Sequence, residues 1–344
     1  MQASLAERRV LVPTQIAPAR PALGEQLYDL GGHSMGTSWR VKFYGPQGLD
    51  CAPLQRGLEA RLAEVVAQMS PWEAESDLSR LVRAPPASWL KLSSGCGRVL
   101  SDALAVARAS GGAFDPTAAA LVRAWGFGAG LRHDEPGFLA PAAGMSRPAR
   151  LSWQDLSLRE KTAAADWEVW QPGGLELDLC GIAKGFAVDR LADFLHDCGL
   201  DHHLVEVGGE LRGAGVKPNG QPWWVQLERV PGAAALNDTA LALHGLAVAT
   251  SGDYRRSYVD AGGRRRSHTL DPRSGAPVAH GLASVSVVHQ SCCLADAWAT
   301  ALTVLGPQDG PALAAELGLA ALFVVREPGW REILSPALRA LAAE

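Results

Sequence analysis

The chain has 344 residues, 47% of them apolar, enough for a substantial core in one domain or two intimate lobes. Its formal net charge of −4 leaves a nucleic-acid binder without support. Six cysteines without zinc-type spacing rule out a disulfide framework in a chain of this length and read as buried free thiols.

The first 25 residues read as a loosely ordered arm, with no unbroken apolar segment and no small-residue cleavage site followed by cysteine. The expectation is a cytoplasmic protein with no transmembrane segment; a trimmed N-terminus would instead leave a periplasmic or membrane-associated one. The domain is expected over residues 26–335. Strands are predicted between Leu27 and Tyr44, because Trp39 to Tyr44 alternates apolar and polar. Pro53 to Met69 places Leu54, Leu58, Leu62, Val65, Val66 and Met69 along one side of a helix. Ser70-Pro71-Trp72 breaks it, and Glu75 to Leu81 reads as a turn or helix start. A second helix is predicted from Ser93 to Ser110, stopped by Gly111-Gly112.

Ala113-Phe114-Asp115-Pro116-Thr117 then leads into a helix ending near Trp125, with Thr117 a possible cap. Residues 129–150, rich in Gly, Pro, Ala and Arg, read as a surface excursion. Two strands, Leu156–Leu158 and Trp167–Trp170, precede an alternating run from Leu175 to Leu179 that also reads as strand. Asp178-Leu179-Cys180-Gly181-Ile182-Ala183-Lys184-Gly185 follows and opens a helix to about Cys198. Further strands are expected at Leu204–Val207, Glu210–Gly213, Trp223–Glu228 and Leu246–Ser251. A Gly-tipped hairpin spans Arg255 to Leu270, and Leu282–Val288 is a strong strand. Leu294 to Leu305 has helical spacing, Pro311–Leu317 a separate short helix, Ala320–Val325 a core strand, and the tail is helical or frayed. Irregularly spaced strands with hairpins and a few long helices point to an α+β fold with a mixed or mostly antiparallel sheet and packed helices.

Several residue patterns carry possible chemistry. Lys184 sits in the first turn of a helix after two glycines, beside free N–H groups, as a phosphate contact or a surface lysine. Asp296 and Thr300 are four apart and share a helical face. Their oxygens suit magnesium, or else are a helix-terminal Asp and a Thr bonded back to its own helix. Gly181 offers a carbonyl to such a cation or simply a turn, and Asp178 is an N-cap or a ligand contact. His268 and Asp271 lie at the hairpin exit beside Asp253; His268 is a base, a ring-stacking partner or an ordinary strand residue. Arg255-Arg256 and Arg264 to Arg266 are solvated hairpin surface or contacts for an anionic ligand. Rossmann, P-loop and zinc-enzyme signatures are missing from the sequence.

The ordered set of segments resembles the ApbE family, the FAD:protein FMN transferases. These segments are Met35-Gly36-Thr37; Met69-Ser70-Pro71-Trp72 with Glu75-Ser76-Asp77-Leu78-Ser79; Gly112 to Thr117 with Trp125-Gly126-Phe127; and Asp178 to Gly185. They continue with Gly208-Gly209-Glu210; Thr250-Ser251-Gly252; His268-Thr269-Leu270-Asp271-Pro272-Arg273-Ser274-Gly275; and Asp296-Ala297-Trp298-Ala299-Thr300. The resemblance implies a single ApbE-like domain binding FAD and Mg2+, passing FMN to a threonine or serine hydroxyl of a target flavoprotein and releasing AMP. It implies Mg2+ held by the Gly181 carbonyl, Asp296 and Thr300. It also implies an FAD site lined by Met35, Trp72, Ala113, Phe114, Asp115, Asp178, Lys184 and the strand around His268. Asp296 or Asp271 is favoured over His268 as the group nearest the acceptor hydroxyl, and the proton acceptor stays open among them. Trp72, Cys180 and Phe186 depart from the commoner family residues. A Mg2+-dependent FAD pyrophosphatase and a non-catalytic flavin-binding module are the alternative functions.

Overall fold

The computed structural model describes residues 8–13, 15–16, 19–141, 152–161, 166–234 and 236–342. The chain begins β1 (Arg8–Leu11), β2 (Gln26–Ser34), β3 (Thr37–Gly45), α1 (Ala52–Met69), α2 (Asp77–Arg83), β4 (Ser88–Leu92), α3 (Ser94–Ala109) and α4 (Ala119–Ala124). After a 3-10 turn at Trp153–Asp155 come β5 (Leu158–Glu160), β6 (Trp167–Gln171), α5 (Ala183–Asp197), β7 (His203–Val207), β8 (Glu210–Ala214), β9 (Trp223–Gln226), β10 (Asp238–Leu243) and β11 (Leu246–Gly252). The last third holds β12 (Ser257–Val259), β13 (Arg265–Ser267), β14 (Leu270–Asp271), β15 (Ala276–Pro277), β16 (Leu282–His289), α6 (Cys292–Glu316), β17 (Ala320–Val325), β18 (Arg331–Leu334) and α7 (Pro336–Arg339). Two compact units result. One comprises Met1–Ala63, Lys184–Gly252 and Gly281–Glu344; the other comprises Glu64–Ala183 and Asp253–His280.

The first unit is built on an eight-stranded sheet in the order β18-β17-β16-β11-β8-β7-β3-β2. Every neighbouring pair in it is antiparallel, as the α+β expectation required. Seven of the eight residues of β16 are buried, Ser284 and Ser286 among them, so this strand is covered on both faces. Helix α6 packs on β11 and β16. Its alanines 295, 297, 299 and 301 are fully buried, so the helix backbone can lie close to the sheet.

The sequence expectations differ from the structure at several points. The N-terminal stretch expected as a loose arm contains β1, which pairs in parallel with β10, and Leu11 is buried with Trp223, Leu241 and Leu243. β10, whose last five residues are all buried, was not read as a strand. The helix expected separately from Pro311 is indeed set apart, but it starts earlier: α6 is two helices that meet at a non-helical Gly306 (φ 81°), with Pro307 directly after it. The tail holds strand β18 at the sheet edge before the short α7. The thiols are all free, but only Cys96, Cys292 and Cys293 are buried, while Cys180 and Cys198 are exposed.

The second unit contains the sheet β4-β6-β5 and two short hairpins, β12-β13 and β14-β15. Helix α3 meets β6 at Gly97, where a Cβ would lie 2.0 Å from the Trp167 ring. The run from Leu175 to Leu179 is not a strand, although Leu175, Leu177 and Leu179 are buried. The buried Gln171 side chain accepts from Gly173 N–H and Leu175 N–H and donates to the carbonyls of Leu81 and Leu175, replacing a neighbouring strand. The described part of the surface excursion, 129–141, holds turns; residues 142–150 lie outside the described residues. No helix among the described residues is long and apolar enough to cross a membrane.

Candidate active site

In the first unit, Lys184 and Gly185 open α5 while Asp296 and Thr300 stand one turn apart near the start of α6. Gly185 N–H donates to Asp296 Oδ2 at 3.1 Å. That contact depends on the missing side chain: a Cβ at Gly185 would lie 2.2 Å from the Cys292 carbonyl oxygen and 2.9 Å from Asp296 Cβ. Asp296 is 4% exposed. Burial pushes its carboxyl above the usual range, opposed by the Lys184 charge and the Gly185 N–H.

Lys184 is only partly exposed, and its ammonium is ion-paired with Glu210 Oε1 at the start of β8. Burial works against the lysine's charge, but Asp296 and Glu210 outweigh it and hold the amine above its ordinary value. Glu210 is pushed up to about 7 by burial, with Lys184 pulling the other way and Asp296 adding repulsion. Its Oε2 is buried without a hydrogen-bond partner. Two acids and one base therefore share a poorly solvated corner, and burial raises both acids.

Thr300 does not bond back to its own helix; its Oγ1 lies 3.2 Å from Ser251 Oγ at the end of β11. Thr303, three residues on, is the one that bonds back, to the Ala299 carbonyl. A carboxylate and two hydroxyls are hard oxygen donors of the kind that magnesium takes while keeping water and substrate oxygens. No group of three His, Cys, Asp or Glu side chains suited to a metal exists among the described residues. Met35 and Gly36 form the tip of the β2-β3 hairpin, both left-handed (φ 53° and 71°). Two positive φ values are what a two-residue hairpin turn demands, and a non-glycine held so is strained.

In the second unit, Asp115 is buried and its Oδ1 accepts from both the N–H (2.8 Å) and the hydroxyl (2.6 Å) of Thr117. Thr117 thus ties a turn rather than capping the helix. Asp178 N–H donates to the Pro116 carbonyl at 2.8 Å, which joins the 113–117 and 178–181 segments. Asp178 Oδ1 in turn accepts from Cys180 N–H at 2.7 Å. Gly181 lies in the next turn, where Ile182 N–H reaches the Leu179 carbonyl. Ala113 and Phe114 are buried, whereas Trp72 is 61% exposed. His268 Nδ1 lies 3.1 Å from the Arg256 carbonyl, and its ring meets the Phe127 ring edge-on at 6.2 Å. Asp271 is held bidentate by Arg273, both contacts at 2.9 Å. In the second basic run, Arg265 pairs with Asp253 and Arg266 with Asp260.

Sequence reasoning assigned no role to Glu210 or Ser251. Both stand inside quoted segments, Gly208-Gly209-Glu210 and Thr250-Ser251-Gly252, and that was the only signal available.

Comparison with known proteins gives a consistent result. The ApbE family model matches residues 35–323. The FAD:protein FMN transferase of Vibrio cholerae is 33% identical over 319 residues, covering 92% of each chain. That of Salmonella typhimurium is 30% identical over 96% of this chain and 94% of its own. The apo crystal structure of Pseudomonas stutzeri flavinyl transferase ApbE superposes with TM-score 0.78 at 34% identity, covering 92% of this chain and 97% of the other. A match of this extent, together with the antiparallel fold, shows that the chain belongs to the ApbE family.

Proposed function

We propose that this chain transfers the FMN moiety of FAD to a threonine or serine hydroxyl of a target flavoprotein, with Mg2+ bound by Asp296, Thr300 and the Gly181 carbonyl. The observation that carries the reading is the pairing of Asp296, oriented by Gly185 N–H, with Thr300 beside Ser251, one helix turn apart. When bound, Mg2+ supplies positive charge to the pyrophosphate oxygens. The family relatives named as FAD:protein FMN transferases support the same activity.

In the reaction, the acceptor oxygen bonds to the FMN phosphorus, the bond from that phosphorus to the bridging oxygen breaks, and the bridging oxygen leaves with AMP. Lys184 adds a second positive charge at the diphosphate. Trp72 and Phe114 supply apolar walls to the rings of FAD, with Met35, Ala113, Asp115, Asp178 and His268 completing the lining. The hydroxyl proton passes to Asp296, Asp271 or His268. Asp271 enters the reaction from a bidentate pair with Arg273, which lowers its availability in the resting site.

The test is incubation with FAD, Mg2+ and a candidate acceptor domain, followed by protein mass and free nucleotide analysis. One FMN added to the acceptor supports transfer. FMN and AMP without an adduct would make the chain a pyrophosphatase, and unchanged FAD would make it a binding module. Chelation by EDTA should stop turnover, and Asp296→Ala should abolish turnover more completely than FAD binding.

A further inference from the structure

Asp189 lies one helical turn beyond Gly185, on the same face of α5. Its side chain is 13% exposed, and the carboxylate accepts four hydrogen bonds. Oδ1 takes Arg212 Nη1 at 2.8 Å and Cys292 N–H at 3.0 Å; Oδ2 takes the Ser291 hydroxyl at 2.9 Å and Cys293 N–H at 3.0 Å. Ser291 Oγ itself accepts from Leu294 N–H at 3.3 Å. The first three N–H groups of α6, which no intrahelical carbonyl can satisfy, are therefore all taken, two of them by a side chain from another helix.

The opposite strand repeats the arrangement with its charges reversed. Glu210 and Arg212 are two apart on β8 and share a face. Glu210 holds Lys184 and Arg212 holds Asp189, so α5 is pinned to β8 at two rungs of opposite polarity. The same α5 face then grips the start of α6 at two points, the Gly185 N–H and the Asp189 carboxylate. Asp296 and Thr300 ride on the helix that is gripped.

We infer that Asp189 is a positioning residue for the transfer reaction: by binding the α6 N-terminus, it sets the height of Asp296 and Thr300 against Lys184. The inference rests on the cation-site reading of Asp296 and Thr300. Asparagine at 189 keeps the shape but turns one acceptor into a donor facing N–H and O–H donors, so α6 must shift or lose its cap.

The experiment compares wild type, Asp189→Asn and Ser291→Ala as full-length chains. It reads amide exchange at Gly185, Mg2+ affinity by calorimetry, and FAD affinity in EDTA. Asp189→Asn should raise exchange at Gly185 at least tenfold and weaken Mg2+ binding at least tenfold, leaving metal-free FAD affinity within about twofold. Ser291→Ala, which leaves the Asp189 charge and its two α6 N–H contacts, should move both in the same direction by about two- to fivefold and covers the case in which Asp189→Asn does not fold. Unchanged Gly185 exchange in a folded variant overturns the inference, as does a fall in melting temperature with Mg2+ affinity intact. Wild-type Mg2+ binding that is indifferent to Asp296→Ala would sink the cation reading alone, and the exchange result would still decide the role of Asp189.

Discussion

Lys184 and Glu210 form an ion pair in which the carboxylate has one oxygen on the ammonium and the other buried without a partner. A pair of this kind is more sensitive to losing one member than to losing both, because a stranded charge keeps its desolvation cost. Lys184→Met should destabilise the chain by about 3 kcal/mol at pH 8, and Lys184→Met/Glu210→Leu should recover most of it. Denaturant unfolding reads both. Neither variant should retain FAD as wild type does if Lys184 contacts the diphosphate as proposed; unchanged FAD affinity would remove Lys184 from the site.

Glu210 also makes stability depend on pH. Its carboxyl, pushed up to about 7 by burial, stays protonated in the folded chain while the unfolded chain releases the proton near pH 4.5. The folded state binds more protons across that window, so stability is greatest below it and falls as pH rises towards 7. The full span is about 3 kcal/mol. Glu210→Gln should flatten this decline, as measured by chemical unfolding from pH 4.5 to 8.

His203 acts with the opposite sign. Burial drives its imidazole down to about 4, despite the Leu200 carbonyl on Nδ1 at 2.7 Å. Here the unfolded state binds more protons between pH 6.5 and 4, so the contribution is complete above 6.5 and is lost as pH falls. Relative to His203→Gln, wild type should lose about 3 kcal/mol on going from pH 7 to 4. A parallel pH profile for the two chains would place a charged histidine in the core.

Gly185→Ala should be among the most damaging single-methyl changes in the molecule. The added carbon meets backbone of Cys292 at 2.2 Å and Asp296 Cβ at 2.9 Å, so α5 and α6 must separate. The cost should be about 3 kcal/mol, at the upper end for overpacking, with turnover falling more than tenfold as Asp296 loses its N–H donor. Thermal unfolding and single-turnover FAD cleavage measure the two effects.

In the second unit, Asp115→Ala should cost about 1–2 kcal/mol, because Thr117 N–H and hydroxyl lose a buried acceptor together. Asp115→Asn keeps the acceptor oxygen and should retain most of the stability. Thermal unfolding of the two variants gives the comparison, and equal losses would mean that charge rather than the turn matters.

Much of this molecule is local and so could be read from residue order. The helical spacing of Leu58, Leu62 and Val65, the alternation from Trp39 to Tyr44, and the four-residue step from Asp296 to Thr300 each follow from one element's own period. What the tertiary structure alone decided are the partners: Glu210 for Lys184 across 26 positions, Ser251 for Thr300 across 49, and Ser291 for Asp189 across 102. Those pairings depend on β8 and β11 lying side by side in the sheet and on α6 crossing β11. Strand order of that kind is a property of the whole packed core, and no window of neighbouring residues carries it. The same reason turned the Leu175–Leu179 alternation away from a strand: its pattern was right for burial, but Gln171 takes both backbone groups of Leu175 and the Pro116 carbonyl takes Asp178 N–H.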